Sequence, residues 1–221
     1  MRIAMIADDL TGRNDCALQW FRRGFDVRLP ELSALDGVLA SAGGRDSGGK
    51  AQLIAVDTDS RYLSPAEAYR RVAGLVDRLK RADIDVWYKK IDSTLRGNLD
   101  AELAAILDRL SFEWVVIHPG FPAGGRTVVD GRLHVDGVRW PVEGRGHVTV
   151  AELFSPDNPG LVGHLRQAHY ADIDLLCSEL DRLRGADARL LVVDAMTEEE
   201  LDRCVRYLRA VSDRILWVGS L

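Results

Sequence analysis

Short apolar runs alternate with segments of helical periodicity along this chain. The runs have the abrupt polar ends that are typical of buried parallel strands, and they lie at 2–7, 26–29, 52–56, 86–90, 114–117, 188–193 and 214–218. Helical spacing predicts helices over 12–24, 64–81, 99–110, 160–169 and 172–185, with a further helix after Thr197. The alternation predicts an α/β fold, with a mostly parallel open sheet and helices on both faces in a Rossmann-like arrangement.

Capping signals mark the starts of several helices. Thr11, Ser64 and Thr197 each precede a helical segment, and an acid stands three residues after both Ser64 and Thr197, as in a capping box. The core-facing side of the first helix is predicted to consist of Ala17, Leu18, Phe21 and Phe25.

The region after the fifth strand departs from strand–helix alternation. Alternating apolar residues over 132–140, around Asp136 and Gly137, predict a small β-hairpin, and 141–160 is interpreted as an irregular excursion. The chain stops at Leu221, directly after its last predicted strand. A domain usually continues at such a point, so we expect a continuation that this chain lacks.

Composition narrows the class of protein. The 221 residues are 47% hydrophobic and 29% charged, which is typical of a soluble globular protein, and the net charge of −5 argues against a general nucleic-acid or membrane-surface partner. No apolar stretch approaches the length of a membrane span. Cys16, Cys177 and Cys204 are far apart and have no metal-site spacing, so we expect unpaired thiols and a cytoplasmic location.

Polar side chains gather where several predicted strands end. Asp8 and Asp9 follow the first strand, 57–61 follows the third, and the stretch 89–98 (Lys-Lys-Ile-Asp-Ser-Thr-Leu-Arg-Gly-Asn) follows the fourth. Ligands bind at the carboxyl ends of parallel strands in such folds. Arg96 opposes the dipole of the helix that follows unless an anion lies nearby, although a simple helix start capped by Ser93 or Thr94 explains the stretch equally well.

The two adjacent lysines are expected to differ in the direction of their side chains. Lys89 and Lys90 lie on one strand and must point to opposite sides, so at most one of them faces the pocket. After the fifth strand, Gly124 and Gly125 permit inward-turned N–H groups that would form an anion nest beside Arg126, although a plain turn is the alternative.

Other motifs are weaker. Gly44 to Lys50 fits part of a phosphate-binding P-loop, but Ala51 stands where Ser or Thr is required and a strand follows where a helix should. His118 has no partner at metal spacing and is interpreted as structural. His164 and His169 are five residues apart on a predicted helix, so a metal site there is not expected. The first strand lacks the Gly-x-Gly-x-x-Gly turn of a dinucleotide-binding oxidoreductase.

Four segments together resemble the four-carbon acid sugar kinase family. They are 6–12 with Asn14 and Asp15, the turn 59–61, the stretch 88–98, and the loop 119–127 (Pro-Gly-Phe-Pro-Ala-Gly-Gly-Arg-Thr). The resemblance covers essentially all of residues 1–221, but corresponds only to the N-terminal, substrate-binding half of that family. It implies an ATP- and magnesium-dependent kinase that phosphorylates sugar acids of the threonate, erythronate or 3-oxo-tetronate type.

The resemblance also implies a sugar-acid pocket. The substrate-binding residues it assigns are Asp8, Asp9, Arg61, Lys90, Asp92, Ser93 and Arg96. Arg61 would pair with the carboxylate or a hydroxyl of the substrate, and Asp9 and Asp92 are alternative candidates for the base that deprotonates the attacked hydroxyl. The loop Gly124, Gly125 and Arg126 would meet nucleotide phosphates or the other half of the protein. No metal ligand is assigned.

The same resemblance defines the expected partners. They are a small sugar acid and a C-terminal nucleotide-binding domain, on the same or a separate chain, with a homodimer as a further option. This chain alone is expected to bind neither ATP nor magnesium, and to bind a sugar acid without turnover. Departures from the family pattern stand at Arg13, Cys16, Ala17 and Gly124, of which Arg13 is bulky and charged beside the pocket. A stand-alone ligand-sensing or interaction domain is the alternative function.

Overall fold

A computed structural model describes residues 1–41 and 50–220. These residues form two compact units. The first unit comprises the described residues of 1–92 and 97–111, and the second comprises 93–96 and the described residues from 112 onward. The P-loop-like segment Gly44 to Lys50 lies almost wholly outside the described residues. In the part of the chain that is described, no helix is both long and apolar enough to cross a lipid bilayer.

The first unit alternates parallel strands and helices. Its elements are β1 (Arg2–Ala7), α1 (Leu10–Arg22), β2 (Asp26–Arg28), α2 (Leu35–Ser41), β3 (Gln52–Asp57), α3 (Pro65–Leu79), β4 (Val86–Lys90) and α4 (Leu99–Leu107). The strand order is β2-β3-β1-β4, with β1 parallel to both of its neighbours. Ile3 to Ala7 of β1 are at most 2% exposed, because the strand is covered on both faces, and its sequence is accordingly a continuous apolar run.

The register of the first unit places three strand ends side by side. Ala7 at the end of β1 pairs with Asp57 of β3 and with Lys90 of β4. The residues that follow these positions therefore leave the sheet at the same edge. This edge receives the polar segments that the sequence places after each strand.

The second unit contains the remaining parallel strands. Its elements are β5 (Trp114–His118), β6 (Arg126–Val129), β7 (Arg132–Val135), β8 (Val138–Arg139), α5 (Val150–Phe154), β9 (Val162–Leu165), α6 (Ile173–Gly185), β10 (Leu190–Val193), α7 (Glu198–Val211) and β11 (Ile215–Gly219). The parallel order is β11-β5-β10-β9. Its core packs strand residues such as Trp114 and Leu191 against Leu176, Leu180 and Leu183 of α6.

A separate antiparallel sheet, β6-β7-β8, is built from two Asp-Gly turns. Asp136 and Gly137 have positive φ values of 51° and 78°, and Asp130 and Gly131 have 49° and 67°. Paired positive φ values are the geometry that two-residue hairpins favour. The hairpin predicted around Asp136 is confirmed, and the equivalent turn at Asp130 adds a strand that was not predicted.

The predicted α/β class with parallel strands and a small hairpin excursion is confirmed, but several local predictions are wrong. Residues 160–169 do not form a helix, since strand β9 lies there between short 3-10 turns. Gly163 lets this strand pack closely, because a Cβ atom at that position would lie 2.9 Å from side-chain carbons of Leu183 and Leu191. His164 and His169 are consequently not on a common helix.

The prediction for the first helix also needs correction. Thr11 is not its cap: α1 begins at Leu10, and the extended Asp9 before it accepts a hydrogen bond from the Gly12 N–H. Leu18 and Phe21 are 44% and 65% exposed, so they do not belong to the core-facing side. That side is formed by Arg13, Cys16 and Ala17 instead.

Candidate functional site

Arg61 is the centre of a cluster of three carboxylates. Its Nε donates to Asp8 Oδ2 at 2.7 Å, and its Nη2 donates to Asp8 Oδ1 at 3.1 Å and to Asp9 Oδ1 at 2.6 Å. Nη1 lies 3.5 Å from Asp92 Oδ1. The strand ends of β1, β3 and β4 are therefore joined through one guanidinium, which we name the Arg61 cluster: Asp8, Asp9, Arg61 and Asp92.

The Arg61 cluster is nearly closed to water. The side chains of Asp8, Asp92 and Arg61 are 3%, 7% and 9% exposed, whereas Asp9 is 24% exposed. Burial alone would lower the pKa of Arg61, but its hydrogen bond to Asp8 and the charges of all three carboxylates raise the pKa above its ordinary value. The guanidinium therefore remains charged, and Asp9 is the member of the cluster that faces solvent most.

Lys90 lies beside the Arg61 cluster. Its ammonium is buried and donates to the carbonyl oxygen of Ile91 at 2.7 Å. A Cβ atom at Gly12 would lie 3.1 Å from Lys90 Nζ and 2.5 Å from Asp9 Oδ1, so both charged groups lie against the same glycine of α1. Burial lowers the pKa of Lys90, against the opposing effect of Cys16, Asp8 and Asp9.

Lys89 points away from Lys90, as predicted. Its Nζ lies 2.7 Å from Glu102 Oε2, and both side chains are at most 2% exposed. The other oxygen of Glu102 accepts from the Ser60 hydroxyl at 2.5 Å, and Ser60 Oγ lies 2.7 Å from the hydroxyl of Thr58. This buried network links β4 and α4 to the turn that carries Arg61.

Further contacts hold the Arg61 turn. The N–H groups of Ser60 and Arg61 donate to Asp8 O, and the Asn98 amide donates to Ser60 O and Leu63 O, both at 3.0 Å. Asn98 is thus the N-cap residue of α4 but uses its side chain on the turn, and neither Ser93 nor Thr94 caps that helix. The backbone of the turn is constrained from two neighbouring segments, which orients the Arg61 side chain.

Glu102 is a functional candidate that sequence reasoning missed. It lies on the same face of α4 as Leu99, Leu103 and Ile106, all of which are buried. An acid on an apolar helix face requires a buried cation. That pattern was visible in the sequence, and Lys89 is the cation that satisfies it.

The other predicted site residues have contacts of their own or keep the role predicted for them as a prediction. Ser93 and Arg96 are grouped with the second unit, and their substrate-binding role stays a prediction. Arg13 is 5% exposed and its Nε donates to Asn14 Oδ1 at 3.1 Å. Cys16 and Cys204 are buried, and all three cysteines are unpaired, as predicted.

The loop before β6 does not present free N–H groups. Ala123 N donates to Glu198 Oε1 at 3.0 Å, while the N–H groups of Gly124, Gly125 and Arg126 donate to Pro122 O or Phe121 O. The anion nest predicted from the glycines is therefore not formed. A role in phosphate or domain contacts stays a prediction that depends on the Arg126 side chain.

The second unit has a buried polar centre of its own. Asp194, after β10, accepts from the N–H groups of Asp130 and Gly131, both at 2.9 Å, and its Oδ1 lies 2.8 Å from His164 Nε2. These bonds attach the Asp130 turn to the parallel strands. His118 is buried with Nδ1 2.9 Å from Val193 O, which agrees with the structural role predicted for it. Across the described residues no group of three His, Cys, Asp or Glu side chains is arranged to hold a metal ion.

Comparison with known proteins places this geometry in a family. The model for a sugar-binding N-terminal domain matches residues 3–221. The chain belongs to the N-terminal domain of the four-carbon acid sugar kinase family. It is 36% identical to a D-threonate kinase of Bordetella bronchiseptica over 99% of this chain and 52% of the relative, and 32% identical to a D-erythronate kinase of Heliobacterium modesticaldum over 90% of this chain and 46% of the relative.

A solved structure agrees with the assignment. A Bordetella bronchiseptica protein, crystallised as a domain-swapped dimer with bound citrate, has a TM-score of 0.78 and 33% identity, over 99% of this chain and 54% of that chain. The chain thus spans about half the length of the relatives that it matches.

We expect Arg61→Met to destabilise the protein strongly. It leaves Asp8 and Asp92 buried without their counter-ion, and breaking a buried ion pair from one side costs about 3–5 kcal/mol. Urea unfolding measures this loss. Arg70→Met, at an exposed position on α3, is the control, and equal stability losses for the two variants would contradict the assignment.

The pair Lys89–Glu102 should behave as one buried unit. Lys89→Met or Glu102→Gln alone leaves a buried charge and should cost about 3–5 kcal/mol, whereas the double variant should cost clearly less than the sum. A double-mutant cycle by urea unfolding provides the coupling energy. The exposed pair Lys80–Asp77, at 2.6 Å, is the matched control, and its coupling should stay below about 1 kcal/mol. Strict additivity at Lys89 and Glu102 would refute the pairing.

Proposed function

We propose that this chain is the substrate-binding part of an ATP-dependent kinase that phosphorylates four-carbon sugar acids of the threonate, erythronate or 3-oxo-tetronate type. The observation that carries the proposal is the convergence of Asp9, Asp92, Arg61 and Lys90 at the carboxyl ends of three adjacent strands. The names of the relatives supply the class of substrate.

The chemistry of the cluster suits a small polyhydroxy acid. Ionised carboxylates accept hydrogen bonds from sugar hydroxyls, and a cation is needed for the carboxylate of the substrate. The citrate bound in the Bordetella bronchiseptica structure is also a hydroxylated carboxylate, which supports this ligand class. A homodimer is part of the proposal, because that relative is a domain-swapped dimer.

The phosphoryl acceptor is a hydroxyl that must lose its proton during transfer. Asp9 is the more exposed carboxylate, and Asp92 is the more deeply buried one. Both belong to the Arg61 cluster and remain alternative candidates for the base. Each would also orient the hydroxyl by accepting its hydrogen bond.

ATP and magnesium belong to the complete enzyme in this proposal. When bound, they would supply the transferred phosphoryl group and neutralise its charge. The described residues offer no set of metal ligands, so we assign the nucleotide site mainly to the half of the relatives that this chain does not match. The isolated chain is proposed to act in the cytoplasm, and to bind a sugar acid without phosphorylating it.

Titration calorimetry with D-threonate and D-erythronate, combined with an ATP-consumption assay, tests the proposal. We expect saturable binding of at least one acid by the isolated chain and no ATP consumption above background. Asp9→Asn should weaken binding by roughly tenfold, because one charged hydrogen-bond acceptor is lost. Asp157→Asn, at an exposed position of the second unit, is the control. Absence of binding would refute the proposed ligand class. Robust ATP-dependent turnover would refute the proposal that the isolated chain binds a sugar acid without phosphorylating it.

A further inference from the structure

We propose that Lys90, and not Arg61, binds the carboxylate of the sugar acid, while the Arg61 cluster binds only its hydroxyl groups. This inference rests on the proposed function and deepens it, because it assigns the two chemical ends of the ligand to different residues.

The donors of Arg61 are already used by the protein. A guanidinium binds a carboxylate best through two parallel N–H groups on one edge. Asp8 occupies the edge formed by Nε and Nη2, and the second hydrogen of Nη2 goes to Asp9. Only Nη1 remains, and Asp92 lies 3.5 Å from it. A substrate carboxylate would have to displace Asp8 or Asp9 to obtain a bidentate contact.

Lys90, in contrast to Arg61, has few hydrogen-bond partners in the protein. An ammonium has three donors, yet within the described residues Lys90 Nζ donates only to Ile91 O. The residue is 4% exposed, so its other N–H groups are largely withdrawn from bulk water. A buried charge with so few partners is costly, and an anionic ligand would relieve that cost.

Other cations of the first unit are engaged differently. Lys89 is paired with Glu102, on the opposite side of β4 from Lys90. Arg13 donates to Asn14, and Arg71 donates to the carbonyl oxygens of Thr58 and Asp59. Of these side chains, Lys90 is the one that lies against Gly12 together with a carboxylate of the Arg61 cluster, Asp9.

Gly12 lets both groups lie against the start of α1. A Cβ atom there would come within 2.5 Å of Asp9 Oδ1 and 3.1 Å of Lys90 Nζ, so the carboxylate and the ammonium are close neighbours. Gly12 is only partly buried and the Asp9 side chain is 24% exposed, so a small ligand that reaches Asp9 from solvent also lies next to Lys90. A short hydroxy acid carries a hydroxyl for the first and a carboxylate for the second.

The test compares a charged ligand with its neutral counterpart. D-threonate and D-threitol have the same configuration at their two central carbons, but D-threitol carries a fourth hydroxyl where D-threonate has its carboxylate. Lys90→Met should raise the Kd for D-threonate by roughly 10- to 100-fold and change the Kd for threitol by less than about threefold. Titration calorimetry on the whole chain measures both, with competition against D-threonate where the heat is small. Lys80→Met, at an exposed lysine, should change neither Kd.

The pH dependence of ligand binding by the wild-type protein provides an independent test if Lys90→Met does not fold. The charged and titratable groups that face Lys90 are Asp8 and Asp9 after β1 and Cys16 on α1, and the charge of Lys89 acts on it from the other side of β4. Burial lowers the pKa of Lys90, so its positive charge is lost at a pH below the ordinary lysine range near about 10.4. The affinity for D-threonate should therefore fall as pH rises from about 7 towards that range, while the affinity for threitol stays flat.

Equal weakening of both ligands by Lys90→Met, or equal pH dependence for both ligands, would overturn this assignment but leave the proposed function intact. No binding of either D-threonate or D-erythronate by the wild-type chain would instead remove the proposed function and this inference with it. Selective loss of D-threonate binding with unchanged threitol binding supports Lys90 as the carboxylate-binding residue.

Discussion

Three carboxylates in one small space require a cation between them, and Arg61 is that cation. Two like charges about 4 Å apart repel by roughly 4 kcal/mol at the effective dielectric of a protein surface, and the repulsion grows with burial. Asp8, Asp9 and Asp92 come from the ends of two strands, so the repulsion would otherwise oppose the register of β1 and β4. The positive charge of the guanidinium offsets this repulsion, and its contacts with the three carboxylates join the strand ends.

The position of Arg61 depends in turn on a second buried ion pair. Lys89 and Glu102 attract each other on the far side of β4, and Glu102 also accepts from Ser60, the residue before Arg61. The site is therefore built in two layers. The outer layer contains Asp9 and Lys90, which lie against Gly12, and the inner layer holds the turn on which the outer one depends.

The elements that sequence predicted well are those defined by local signals. Strands β1, β3 and β4 are apolar runs with polar ends, and the capping boxes at Ser64 and Thr197 are present. Their placement at one edge follows from the parallel register, so the grouping of Asp9, Arg61 and Lys90 could be predicted without coordinates. The Thr149–Glu152 capping box of α5 is the same kind of signal. The helix was not predicted, because residues 141–160 are rich in Gly, Pro and charged residues and were interpreted as irregular.

The errors occurred where distant contacts decide the outcome. Residues 160–169 contain a short apolar run, which does not distinguish a strand from a helix, and the parallel pairing of Val162–Leu165 with β10 makes that part a strand. The exposure of Leu18 and Phe21 is likewise a tertiary property. The role that the resemblance implies for Arg61, pairing with the carboxylate or a hydroxyl of the substrate, stays a prediction, but the bidentate contact of Arg61 with Asp8, 53 residues earlier in the chain, was not foreseen. Local spacing contains no information about that contact.

A crystal structure of this chain with D-threonate bound is the most direct measurement of the central claim. The account predicts that the ligand lies over Gly12, with its carboxylate on Lys90, a hydroxyl on Asp9, and the bidentate contact between Arg61 and Asp8 unbroken. A ligand whose carboxylate displaces Asp8 from Arg61, or one that lies away from the ends of β1, β3 and β4, would contradict it.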